Sequence, residues 1–145
     1  SDIIASGKYH KGIEDNIKKA ETLSTSSPEY RERLMKRSEL QTQTMKLLAD
    51  YRLDALVYPH QKRLAVPVGQ TQIERNGVLG SVTGFPSIVV PGGFSSSSPS
   101  APIGVPIGLE ILGRPWSEPV LIQIAYAFEQ ATKFRRPPES TPSLA

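Results

Sequence analysis

Thr83-Gly84-Phe85-Pro86-Ser87-Ile88-Val89-Val90-Pro91-Gly92-Gly93-Phe94 is the stretch on which the fold turns. Ile88 to Val90 is a β-branched run, and a proline stands on either side of Ser87–Val90. β-Branched residues suit a pleated surface, and proline, which has no N–H to give to a ladder, marks strand starts and edges. Gly84 supplies a permissive backbone for a turn leading into the strand. Downstream, Ile107-Gly108-Leu109-Glu110-Ile111-Leu112-Gly113 reads as another strand, placed to pair antiparallel with the first. Upstream, Asp54-Ala55-Leu56-Val57-Tyr58-Pro59 reads as a short strand closed by proline. The Ser/Pro-rich stretch from Ser95 to Pro102 has too little apolar surface to pack, which predicts a mobile loop between the two later strands.

Around these strands the pattern is helical. Ser27-Pro28-Glu29 is a start signal, with serine able to cap, proline tolerated in the first turn and glutamate suited to the positive helix end. It predicts a helix over 28–51 whose apolar positions are Tyr30, Leu34, Met45, Leu48 and Tyr51, with Arg37, Ser38 and Gln41 breaking the stripe. A weaker helix is expected over 13–23, on Ile13, Ile17, Ala20 and Leu23. Residues 60–75 carry no sustained period, and Asn76-Gly77 lacks alternating strands on either side, so a short helical or looped approach to Thr83 is expected rather than a hairpin. Ser117 opens the clearest helix, with Leu121, Ile124, Ala125, Phe128 and Ala131 on one face. It is expected to end by Arg135-Arg136-Pro137-Pro138, where cations suit the negative helix end and proline forbids continuation. The organisation predicted is one segment over 1–138, mainly helical to residue 53 and α/β beyond, followed by a disordered tail at 139–145.

Composition narrows the function. With 145 residues and no cysteine there is no disulfide framework, no thiolate nucleophile and no cysteine-type zinc site, and the redox compartment stays open with a lean toward the cytosol. His10 and His60 have no partner ligand at helical spacing, so neither metal nor cofactor is expected. No apolar run approaches the roughly 20 residues of a membrane span, and no leader opens the chain, so it reads as soluble. Lys+Arg outnumber Asp+Glu by 12 to 9 over residues 1–65 and balance at 5 to 5 beyond. Because Arg31, Arg33, Lys36 and Arg37 alternate with Glu29, Glu32 and Glu39, the first part is a solvated mixed-charge face, and no nucleic-acid partner is expected. Ser1-Asp2-Ile3-Ile4 reads as the middle of an element, so further polypeptide is expected upstream.

Four segments in order, D-A-L-V-Y-P at 54–59, T-G-F-P-S-I-V-V-P-G-G-F at 83–94, P-I-G-L-E-I-L-G-R-P-W at 106–116 and A-Y-A-F-E-Q-A-T-K-F-R-R-P-P at 125–138, resemble the carboxy-terminal end of the amidase-signature family. Over 1–53 the likeness is one of general layout. The resemblance implies an α/β fold, this chain supplying part of a mixed, twisted sheet flanked by helices. It implies hydrolysis of carboxylic amides, and of some esters, by a nucleophilic serine bridged through a second serine, preceded by a cis peptide bond, to a lysine base. All three family positions fall upstream of the matched region, so no catalytic residue is expected in this chain, which alone is expected to be inactive. The Gly92–Pro99 stretch imitates a serine-rich nucleophile loop but is not followed by the family's Gly-Ser-x-Arg pattern, and Lys8, Lys46 and Lys62 read as surface lysines.

The implied partners are a small-molecule amide substrate and the missing amino-terminal portion of the same fold, with self-association through bare strand edges and the apolar helix-covering face as a further expectation. Thr83, Gly84 and Phe85 correspond to the turn beside the family's substrate cavity, and Leu79 and Val82 just before it are candidates for its wall; core packing is the plainer account of both. Trp116 either edges the substrate channel or covers the end of the sheet. Arg114 is placed to pair with Glu118. A rival reading makes the chain a stand-alone binding or scaffold module derived from an amidase end, motivated by the Glu/Arg-rich helix and the serine-rich loop.

Overall fold

The computed structural model describes residues 2–137; the tail expected at 139–145 lies outside them. The chain divides into two compact units, one reaching to Leu40 and one beginning at Gln41. The first holds α1 (Asp2–Ser6), a 3-10 turn at Lys11–Ile13, α2 (Glu14–Glu21) and the opening of α3 (Pro28–Asp50). His10 caps the 3-10 turn, its side chain accepting a hydrogen bond from the Gly12 N–H. Ser27 does what its position predicts: its hydroxyl accepts from the Tyr30 N–H at 3.2 Å and closes one of the orphan donors of the first turn. The predicted apolar stripe of α3 is largely wet, since Tyr30, Leu34, Met45 and Tyr51 are exposed and Leu48 alone of that set is fully buried.

The second unit carries the sheet. β1 (Ala55–Pro59), β2 (Ser87–Phe94) and β3 (Pro106–Gly113) lie in the order β1-β3-β2, and both pairings are antiparallel. Together with the five α-helices among the described residues this is a mixed α/β fold. The register between Pro91 and Gly93 slips by one residue, a bulge that Gly93 accommodates with φ 126, a value that disfavours any other residue. Ser95 continues the hairpin, its N–H donating to Val105 O and its hydroxyl accepting from Val105 N–H, and the turn beyond is closed by paired backbone bonds between Ser98 and Ala101.

Period-two alternation on β3 divides the core. Leu109 and Ile111 face α5 (Glu118–Thr132), where Ile111 and Val90 meet Leu121 and Ala125, with Ile88, Ile124 and Phe128 around them. Burying each of the large aliphatic side chains is worth about 1.5–3 kcal/mol. Glu110 and Leu112 face the other way, toward α4 (Val78–Thr83); Leu112 is fully buried, and a Cβ added to Gly80 of α4 would lie 3.3 Å from its Cδ1. The looped or helical approach expected after Asn76-Gly77 is thus α4, ended by Gly84 in the left-handed conformation at φ 74.

Three expectations need correction. α5 ends before Arg135 as expected, at Thr132, where Lys133 adopts φ 52 and its N–H returns to Glu129 O, but Arg135 and Arg136 lie past the helix end rather than on its last turn. Arg114 does not pair with Glu118; its guanidinium donates to Leu53 O at 2.9 Å and Leu48 O at 3.4 Å, tying the end of α3 to the β3–α5 turn. Trp116 covers nothing: it is 90% exposed and holds a left-handed backbone at φ 64.

Candidate functional site

The α4–β2 turn is held by Thr83. Its hydroxyl donates to Leu79 O at 2.7 Å and accepts from Phe85 N–H at 3.2 Å, and its carbonyl accepts from the Gln41 side chain at 2.6 Å. Thr83 is therefore buried and spent on backbone groups. Phe85, also buried, joins Gln41, Thr42, Met45 and Pro115 around a recess of ≈ 380 Å³ between α3 and the two turns. Of the residues nominated from sequence, Phe85 lines this recess, while Thr83 touches it only through its carbonyl, which accepts from the lining residue Gln41. Leu79 is half-buried, Val82 and Gly84 are exposed, and Trp116 points its bulk into solvent one residue beyond the recess residue Pro115. Ser95 is spent on the hairpin, and the Ser98 hydroxyl lies 3.3 Å from that of Ser100 on an exposed turn.

A second constellation was missed from sequence. Glu110 in the middle of β3 is 2% exposed, and its Oε2 lies 2.7 Å from His60 Nδ1. Tyr58 stands opposite Glu110 in the ladder, its hydroxyl near the carboxylate but buried and without a hydrogen bond of good geometry. Burial pushes the Tyr58 phenol up to about 12, and the charge of Glu110 adds to the shift. His60 also organises the backbone: its N–H donates to Gly108 O, and its carbonyl accepts from Asn76 N–H and Gly77 N–H. Asn76 adds a side-chain bond to Pro59 O at 2.8 Å. The ring presses so closely on the start of α4 that a Cβ at Gly77 would lie 2.4 Å from His60 Cε1. A carboxylate-oriented imidazole with its far edge toward solvent is chemically able to accept and pass a proton. The sequence did hold a signal: Glu110 is the one charged residue inside Ile107–Gly113, at an alternation parity shared with Leu112.

Among the described residues no group of three His, Cys, Asp or Glu is placed to hold a metal ion, and no helix is long and apolar enough to cross a membrane.

A bulged antiparallel hairpin with a helix on either face is a piece of a mixed α/β framework, and it matches part of a solved structure. The native peptide amidase of Stenotrophomonas maltophilia superimposes on 94% of this chain with a TM-score of 0.71 and 32% identity, the match engaging 28% of that chain. Among sequences, a probable amidase of Arabidopsis thaliana is 38% identical over 97 residues, 67% of this chain and 17% of the relative. The A subunit of the glutamyl-tRNA(Gln) amidotransferase of Moorella thermoacetica is 45% identical over 60 residues, 41% of this chain and 11% of the relative. No protein-family model matches the chain. The chain belongs to the amidase-signature family and spans less than a third of the length of these relatives.

Proposed function

We propose that this chain is the carboxy-terminal part of an amidase-signature hydrolase that cleaves carboxylic amides, and some esters, through a serine–cis-serine–lysine mechanism. In this reading the three catalytic residues lie on polypeptide outside the chain. The observation that carries it is the superposition of nearly the whole chain on a minor part of a peptide amidase at 32% identity. The chain then supplies three strands of a larger mixed, twisted sheet, the helix α5 and a portion of the substrate cavity wall at Phe85. Leu79, Val82, Thr83, Gly84 and Trp116 border the rest of that wall, and the amino-terminal portion of the fold is the partner that completes it.

Two features support the reading. Lys46, one of the lysines considered for the base, is exposed and paired with Asp50. The free strand edges and exposed side chains such as Val57 and Trp116 suit a surface made to be covered. The test is an assay of aryl and aliphatic amides with the chain alone and with the chain co-expressed with the amino-terminal portion of the matched peptide amidase. Turnover is expected only in the second case. Serine-dependent turnover by the chain alone would overturn the reading.

A further inference from the structure

We propose that Glu110 and His60 are positioning residues: together they clamp the start of α4 to the sheet and so fix Phe85, just past the other end of that helix, in the wall of the recess. α4 does not hold itself in place. Its six residues are too few for an isolated helix to persist in water, and Val78, Gly80, Val82 and Thr83 among them have low helix propensity. Val78 and Val82 are exposed, so apolar burial does little to fix it. A glycine stands at each end, Gly77 before the helix and Gly84 after it. Where α4 sits is therefore decided by what it rests on.

It rests on Glu110. Gly77 and Gly80 are three residues apart and share one helix face. A Cβ on Gly77 would lie 3.2 Å from Glu110 Oε2, and one on Gly80 would lie 3.5 Å from Oε1, so the buried carboxylate is the floor beneath both. His60 closes the clamp. Its Nδ1 lies 2.7 Å from Glu110 Oε2, while its carbonyl accepts from the Asn76 and Gly77 N–H groups. One residue thus grips the carboxylate with its side chain and the start of α4 with its backbone.

The far end of α4 leads into Phe85. Gly84 N–H returns to Gly80 O at 2.8 Å, and the Thr83 hydroxyl joins Leu79 O to the Phe85 N–H. A tilt of α4 at its start is therefore carried to Phe85. Neither His60 nor Glu110 lines the recess, so both act through the helix rather than by contact. Clamp, helix and recess all lie within the unit that begins at Gln41. The inference rests on the hydrolase reading only in taking Phe85 to touch substrate.

The test is amide exchange in the 145-residue chain with Glu110→Met. Methionine matches the length of glutamate but cannot accept the imidazole bond, and an apolar group in place of a buried charge is commonly neutral or stabilising. Exchange at Gly84 and Phe85 should be about 10-fold faster, with the β2–β3 ladder amides of Ile88 and Ile111 within about 3-fold of the unaltered chain. Glu110→Gln, which keeps an acceptor for the Nδ1–H of His60, should restore Gly84 and Phe85 to within about 3-fold. Glu110→Leu repeats the measurement if the methionine variant does not fold. Unchanged exchange at Phe85 would overturn the proposal, and so would equal acceleration at Phe85 and in the ladder, which would mean a general loss of stability. In the chain co-expressed with the amino-terminal portion of the matched peptide amidase, Glu110→Met should raise KM by about 5-fold or more and leave kcat within about 2-fold. A fall in kcat at unchanged KM would also overturn it. Absence of turnover by the unaltered pair would count against the hydrolase reading, and the exchange rates would then decide the clamp by themselves.

Discussion

Gly77→Ala isolates what the His60–Glu110 pair contributes. Gly77 has φ −63, so alanine meets no backbone strain, and the smaller conformational freedom of the unfolded chain would stabilise by about 0.5 kcal/mol. The added Cβ, however, would lie 2.4 Å from His60 Cε1 and 2.9 Å from its Nδ1. Bonds to Gly108, Asn76 and Gly77 fix the His60 backbone, so the ring can escape only by swinging into solvent, away from Glu110. That strands a buried carboxylate, at a cost of about 2–3 kcal/mol. The net loss expected is about 2 kcal/mol, or roughly 6 °C in Tm for a chain of this size. Urea denaturation of Gly77→Ala, His60→Ala and the double variant supplies the check. His60→Ala strands the same carboxylate, and with no ring to strike, Gly77→Ala in that background should be neutral or slightly stabilising. A coupling of about 2 kcal/mol follows. Equal costs for Gly77→Ala with and without His60 would refute the reasoning.

Other consequences follow from single residues. Tyr58 has its phenol raised to about 12, so between about pH 10 and 12 the unfolded chain gives up a proton that the folded chain keeps, and stability falls as pH rises. Alkaline denaturation should show a loss of about 1 kcal/mol after screening at this partly open site, absent in Tyr58→Phe. At neutral pH Tyr58→Phe should be neutral or stabilising by up to about 1 kcal/mol, because the hydroxyl it removes is buried without a partner. Trp116→Gly should raise stability by about 1 kcal/mol in a thermal melt, since a left-handed backbone costs a tryptophan with no compensating burial. Arg114→Leu should cost about 1–2 kcal/mol through the loss of its bonds to Leu53 and Leu48 carbonyls.

Local chemistry carried much of the fold. Short apolar runs with proline and glycine punctuation located β1, β2 and β3, the Ser27 cap and Pro28 placed the start of α3, and the period of 3.6 residues identified α5. These features depend on neighbours in the chain, which is why they are legible there. The stop of α5 at Thr132 was not, since Lys133 entering a left-handed conformation is a backbone choice with no composition signal.

At the candidate site the division is similar. Sequence pointed to the Thr83–Phe85 turn, and the structure shows Thr83 consumed by backbone bonds and Phe85 lining a recess. His60 looked isolated because its partner Glu110 lies fifty residues away and meets it only when β1 pairs with β3. Arg114 likewise reaches carbonyls 61 and 66 residues distant rather than the nearby Glu118. The sequence by itself determined the three strands, the two long helices, the family resemblance and the absence of cysteine chemistry. Only the tertiary structure decided which charges are buried and what they touch, because burial and long-range pairing depend on how strands register in space, and pattern along a chain does not encode that distance.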